Sequence, residues 1–368
     1  MIFLYICKKI KEYFEYMKDN QFPQKKRNYF LDFTKAFAII LVVFGHCIQY
    51  GSGENYLKEE LFFENIIFKY IYSFHMPLFM LISGYLFAFG THKGAKKIII
   101  NKAKSLIIPV FTWCIIPVII FYIKNDVSIV STIKYYIIHS INSLWFLWAV
   151  FWCSLIVIAT NKIFKDKIIV YVLLFAVSFL IPDMFNTAMY KFMFPYFVTG
   201  YMYKKYELQA KFKTIYNSNY FVCAIGIIFV LLVCFFERDS YIYVCKHSIL
   251  GKDIVSQLSI NLYRYATGLI GSIFTLSLLI KIYSFCDKKK LFNENNIILT
   301  IGKNTMGIYI ISDIINKFVL NNITNSIACP NYFIIGIESV LVILVSMLFI
   351  KLIQRNRISN KFLLGAKG

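Results

Sequence analysis

The chain has 368 residues, 59% of them hydrophobic and only 16% charged, with a net charge of +21. This excludes a soluble globular domain, whose apolar share stays near half and whose charged share is about a quarter. It also removes the need for a nucleic-acid partner: apolar runs of about 18 or more residues recur along the chain, and basic loops facing anionic lipid are ordinary in a polytopic membrane protein.

Residues 1–32 open MIFLYICKKIKEYFEYMKDN, an apolar start too short for a signal-peptide core and without a small-residue cleavage site. Its alternating aromatic and Lys residues predict an interfacial helix on the inner leaflet. Ten spans follow, at about 33–50, 66–90, 105–123, 142–160, 167–181, 187–203, 219–236, 262–285, 297–320 and 332–350. They make an all-α membrane domain over 33–350, followed by a basic tail at 351–368. An even number of spans puts both termini on one side. Segments on that side carry 27 Lys and Arg and the opposite loops carry 6, which predicts cytoplasmic termini and the inner (plasma) membrane. Nine cysteines form no CxxC pair and six of them fall in or beside spans. They predict small packing residues, with no disulfide framework and no metal. No inverted repeat of the transporter kind is visible.

The informative residues are the ionisable ones within spans, where each needs a partner. The first span, DFTKAFAIILVVFGHCIQY (32–50), carries Asp32, Lys35 and His46 on one helix face. At about 1.5 Å per residue Lys35 lies roughly 16 Å below His46, so neither Lys35 nor Asp32 partners the imidazole directly. Asp32 and Lys35 are either a capping acid with a snorkelling base or the mouth of a binding path. His46, in the outer half, is either a satisfied packing residue or a proton-transfer group. The second span, SFHMPLFMLISGYLF (73–87), brings His75 to a similar depth. Pro77 predicts a first-turn position or a kink, and Ser83 with Gly84 a surface for close helix approach. Lys102 and Lys104, in NKAKSLIIP (101–109), are positive-inside charge or contacts to a phosphate-bearing ligand. Trp145, in SLWFLWAVFW (143–152), is an interface aromatic or a stacking face for a sugar. Arg264, in NLYRYATGLIGS, is an interface anchor or an anion-binding group. Glu338 is the clearest acid deep in a span.

In order, LDFTKAFAIILVVFGH (31–46), FHMPLFMLISGYLF (74–87), KAKSLIIP (102–109), SLWFLWAVF (143–151), FPYFVTGYMYKK (194–205) and IGKNTMGIYI (301–310) resemble the acyltransferase-3 family of integral membrane O-acyltransferases, in particular its fucose O-acetylase-like branch. The resemblance implies a ten-helix fold that passes an acetyl group from cytoplasmic acetyl-CoA to a hydroxyl of a cell-envelope glycan or glycolipid. It implies His46 as the essential catalytic residue, with a basic residue eleven positions before it in the same motif. This sequence has Lys35 where many members have Arg, Lys102 and Ser105 where arginines are common, and Ser312 and Asp313 where a histidine is often found.

On that reading the phosphates of acetyl-CoA lie near Lys35, Lys102 and Lys104, Asp32 pairs with Lys35, and the pantetheine arm reaches up to His46. His46 acts as general base, or carries the acetyl group transiently. His75 orients the acceptor or stabilises the oxyanion, with Trp145 and Arg264 on the acceptor. Two other classes remain. A glycan flippase or polymerase predicts more arginine around a large cavity and longer outer loops. A proton-coupled transporter predicts paired broken spans and several buried acids.

Overall fold

The structure, a computed structural model, describes residues 28–51, 63–125, 127–244, 246–251, 253–293, 296–323 and 331–366, without the side chains of 209–211 and 213. The interfacial helix expected before residue 28 lies outside the described residues. Among them the chain is helical throughout, with no strand. In order the helices are α1 (Tyr29–Gly51), α2 (Ile66–Ala88), α3 (Ala95–Asn125), α4 (Ile129–Asn142), α5 (Trp145–Phe164), α6 (Ile168–Ser178), α7 (Thr187–Lys205), α8 (Leu208–Asn217), α9 (Asn219–Cys234), α10 (Ile254–Lys288), α11 (Ile297–Lys303), α12 (Thr305–Leu320), α13 (Tyr332–Arg355) and α14 (Arg357–Leu363).

Six of these, α1, α2, α3, α5, α10 and α13, are long and apolar enough to cross a membrane. The α11–α12 pair makes a seventh if its two limbs, bent by 83°, form one broken span. All ten stretches expected as spans are helical, but α6 and α9 are shorter apolar helices and α7 is not among the helices apolar enough to cross, so six or seven of the ten expected spans qualify. Hydropathy marks lipid-buried length, not hydrogen-bonded length, so helix ends differ from the expected ones. Thus α10 starts at Ile254 and not near 262, α13 runs on to Arg355, and the stretches taken as loops at 124–141 and 204–218 contain α4 and α8.

Within α3, residues Ala103–Ile107 form a π turn. Pro109 has no N–H to return to the Ser105 carbonyl, and Gly365, at φ +58°, packs against that carbonyl. The Trp113 indole donates to the Leu363 carbonyl at 2.8 Å, so the C-terminal segment folds back onto α3.

The tightest contact joins α2 to α7. A Cβ on Gly84 would collide with the Phe197 carbonyl, and one on Gly200 with the Leu81 carbonyl. Two glycines thus let the backbones touch from both sides. Pro77 lies in the interior of α2, beyond its first turn. On its other flank α2 meets α1, which also packs on α11, α12 and α13. Gly302 of α11 rests on the Asp32 backbone.

Between α5 and α6, Asp166 takes a left-handed backbone (φ +57°) and turns its carboxylate inward. It accepts hydrogen bonds from Tyr171 (2.6 Å), Tyr201 (2.7 Å), Asn161 and Lys205, tying α5, α6 and α7 at one end. Burial pushes this carboxyl up, but the bonds from Lys205, Tyr171, Tyr201 and Asn161 outweigh it and hold it below its ordinary value of 3.8.

Two outcomes are expected. Gly200→Ala forces α2 and α7 apart and should destabilise the detergent-solubilised protein by about 1–3 kcal/mol. Gly94→Ala, where nothing lies within 4 Å, should change little. Thermal unfolding of the two variants side by side checks this. The second concerns Asp166. With its folded pKa depressed, its bonds contribute stability that is complete above about pH 4 and is lost as pH falls through the lower folded value. Asp166→Asn should lower the melting temperature at pH 7 and remove part of the acid-side decline; parallel melting-temperature profiles for wild type and variant would refute the tie.

Candidate active site

At the start of α1 the Lys35 ammonium sits 2.9 Å from the Asp32 carboxylate, one helical turn away. Asp32 is buried, and Gly302 closes the other side of this turn. Lys102 is half-buried with its Nζ 5.3 Å above the Phe87 ring, and Lys104 is exposed. The structure therefore joins Asp32 with Lys35 but aims Lys102 at α2. A separate cleft of about 790 Å³ lies between the first turns of α3 and the last turns of α5. Lys93, Lys96, Lys97 and Lys162 line it together with Asn101 and Asn161. Four ammonium groups around one concavity are suited to phosphate.

Near the other end of α1, His46 is half-buried. Its Nδ1 is buried and has no hydrogen-bond partner, and its ring meets Tyr50 edge-on at 6.1 Å. The charges acting on the imidazole are Asp313 and Lys317 of α12, which are ion-paired at 2.9 Å. The next residue of α1, Cys47, donates its thiol to Asn316 Oδ1 at 3.6 Å, so α12 is pinned beside His46. Asn316 is fully buried and its Nδ2 has no partner.

His75 is buried and its Nδ1 donates to the Ile71 carbonyl at 2.7 Å. Its Nε2 is then the nitrogen with a free lone pair. The ring lies 4.6 Å from Tyr72, whose buried hydroxyl has no partner, and close enough to His46 for the two imidazoles to act on each other. His75 and Arg264 line the same small cavity with Ser73, Ser240 and Tyr243. Arg264 is held from two sides. Its guanidinium lies 4.7 Å over the Phe192 ring, and its Nη2 donates to Asn261 Oδ1. Asn261 in turn donates to the His247 carbonyl at 3.0 Å.

His247 anchors a loop clamp. Ser178 donates its own proton to the Phe175 carbonyl, so it accepts from His247 Nε2 at 2.9 Å, and Nδ1 accepts from the Tyr265 hydroxyl at 3.2 Å. Asp183 receives the backbone N–H groups of His247 and Ser248 and pairs with Lys191 at 2.9 Å. Burial, then the nearby Arg264 charge, push the His247 pKa down to about 3, so the clamp stays neutral. Trp145 is half-buried at the start of α5, and its ring meets Phe146 edge-on at 6.0 Å.

Sequence reasoning gave no role to Lys317 or Asn316, and noted Asp313 only as standing where the family often has a histidine. It named Glu338 as the clearest acid deep in a span, and Glu338 is half-buried against Gly51, with Oε2 buried and unpartnered. Yet the acid whose charge acts on His46 is Asp313. The available signal was an acid and a base four residues apart in the apolar run IYIISDIINKF, a combination that membrane spans rarely carry without a role. Among the described residues no three His, Cys, Asp or Glu side chains converge as a metal-ligand set.

The family model described as an acyltransferase domain matches residues 28–353. The chain is 31% identical over 186 residues to the nodulation protein NolL of Mesorhizobium japonicum, covering 48% of this chain and 48% of the relative. It is 30% identical over 230 residues to the nodulation protein NolL of Sinorhizobium fredii, covering 59% and 60%. The chain thus spans about half to three-fifths of the length of these relatives. No solved structure matches it. With the acyltransferase-domain match running from the start of α1 almost to the end of α13, on a multi-pass membrane scaffold, the chain belongs to the acyltransferase-3 family.

Proposed function

We propose that the protein is a membrane O-acyltransferase that moves an acetyl group from acetyl-CoA to a hydroxyl of a cell-envelope polysaccharide or glycolipid, with His46 as general base. The observation that carries this reading is the buried, unpartnered His46 Nδ1 in a polar cluster of a chain that belongs to an acyltransferase family. A buried polar atom without a partner is uncommon and calls for a role.

In the proposed step the acceptor hydroxyl gives its proton to His46 as its oxygen bonds to the thioester carbon. The carbon–sulfur bond then breaks, and the thiolate takes the proton back from His46, so that CoA leaves as the thiol. His75 Nε2 and Arg264 line the cavity alongside, where Arg264 supplies a fixed positive charge for the developing oxyanion. Donor phosphates are assigned to the lysine-rich faces at the opposite end, Lys35 and the cleft of Lys93, Lys96, Lys97 and Lys162. The same proposal includes ten spans, cytoplasmic termini and the inner membrane, supported by the 27 to 6 distribution of basic residues.

A proton-coupled transporter is the second reading, favoured by the break between α11 and α12 and by the half-buried acids Asp313 and Glu338 within apolar helices. Thioester chemistry separates the two. Membranes carrying the protein should release free thiol from acetyl-CoA only when the right glycan is supplied. His46→Ala should cut that release by about 10²–10⁴-fold, and Lys35→Ala should raise the acetyl-CoA KM with little change in kcat. Full activity in His46→Ala would sink the assignment. In cells, NMR of envelope glycans from wild-type, deletion and His46→Ala strains should show O-acetyl signals in the first alone.

A further inference from the structure

The cleft of about 790 Å³ between the first turns of α3 and the last turns of α5 carries Lys93, Lys96 and Lys97 on one side and Lys162 on the other. All four are exposed, and among the described residues none of them is ion-paired. No Asp or Glu lines the cleft. Asn161, which does line it, bonds to the Asp166 carboxylate, but that acid is already spent on Lys205, Tyr171 and Tyr201 and does not neutralise the four ammonium groups. Like charges gathered around one concavity repel, and a bound anion removes that cost. The start of α3 adds partial charge of the same sign, since Gly94 precedes it without a side-chain cap. The rest of the lining is mainly apolar, with Phe87, Ile98 and Ile158 in it. Within a turn of the lysines, Ile99 and Ile100 on α3 and Ile163 and Phe164 on α5 are exposed. In a multi-pass membrane protein, ammonium groups and open hydrocarbon at one level mark the bilayer interface.

We propose that this cleft seats an anionic phospholipid, its phosphate among Lys93, Lys96, Lys97 and Lys162 and its first methylenes against the apolar lining. A phosphodiester joined to hydrocarbon answers both halves of the lining, where inorganic phosphate answers only one. On the acyltransfer reading the same lysines serve the phosphates of acetyl-CoA, so lipid and donor exclude each other there, and the anionic content of the membrane tunes donor binding. That competition rests on the acyltransfer reading; the lipid seat does not.

The test uses purified full-length protein in nanodiscs of phosphatidylcholine with graded fractions of phosphatidylglycerol. Native mass spectrometry reads the lipid retained, and isothermal titration reads the acetyl-CoA Kd. Wild type should retain phosphatidylglycerol over phosphatidylcholine by about tenfold. Lys96→Gln/Lys97→Gln should lose that preference and Lys96→Arg/Lys97→Arg should keep it. Lys288→Gln/Lys289→Gln, an equal loss of charge at the end of α10 and outside the cleft, should retain lipid as wild type does. Should Lys96→Gln/Lys97→Gln fail to elute as a monodisperse species, Lys162→Gln on the opposite wall decides. Equal retention of the two lipids by wild type, or equal loss of preference in the α10 control, overturns the seat. So does full displacement of the lipid by excess inorganic phosphate, which marks a plain anion site. The acetyl-CoA Kd should climb with the phosphatidylglycerol fraction more steeply in wild type than in Lys96→Gln/Lys97→Gln. Equal slopes with the lipid preference intact keep the seat and remove the donor's phosphates from the cleft. Intact lipid preference with no acetyl-CoA binding at all keeps the seat and overturns the acyltransfer reading.

Discussion

An ionisable side chain inside a membrane must be paired, enclosed by protein, or turned toward water, and the interface between α1 and the broken α11–α12 limb is organised by that requirement. Two ion pairs mark its ends. Asp32–Lys35 lies where Gly302 rests on the α1 backbone, and Asp313–Lys317 lies where Asn316 meets Cys47. The two contacts fall in the same order along both segments, so the limb runs in the same direction as α1. Each pair is short-range within its own helix, which makes the charges tolerable before any tertiary contact forms. What tertiary packing adds is their placement along one shared seam.

Stiffness and incompleteness are distributed unevenly around this seam. The Asp166 tie is saturated, with four donors on one carboxylate. In the His247 clamp both ring nitrogens and the backbone N–H are used. Between them, His46 Nδ1, the Tyr72 hydroxyl and Asn316 Nδ2 are buried and unpartnered. Saturated networks hold the scaffold because unmade bonds in a low-dielectric interior are costly. The same cost, left standing at neighbouring atoms, is what a bound substrate can relieve.

The apolar runs made the helices legible from sequence, and helical spacing separated His46 from Asp32 and Lys35 before any coordinate was known. The Asp32–Lys35 pairing and the close approach at Gly84 were legible for the same reason: both are consequences of local spacing. The effect of Asp313 on His46 was not, because the two lie on helices distant in sequence and no local pattern announces that they come together. Cys47 illustrates the same limit. Taken as a packing residue, it is hydrogen-bonded to Asn316, 269 positions away. Helix α4 was hidden for a different reason: its exposed face carries Ile129, Val130, Ile133 and Ile137 among polar residues, so a hydropathy window averages it into a loop.

The distance along α1 also bears on donor choice. Lys35 and His46 are on one uninterrupted helix, so their axial separation of roughly 16 Å is fixed by backbone hydrogen bonds and cannot adjust to the ligand. On the proposed reading, a donor anchored by phosphate at the lower pair delivers its thioester to His46 only if its arm has that reach. A short acyl phosphate anchored at Lys35 falls below the imidazole. A donor with a long flexible arm arrives there without any movement of the protein. Selection by reach leaves the chemistry at His46 indifferent to the donor's far end.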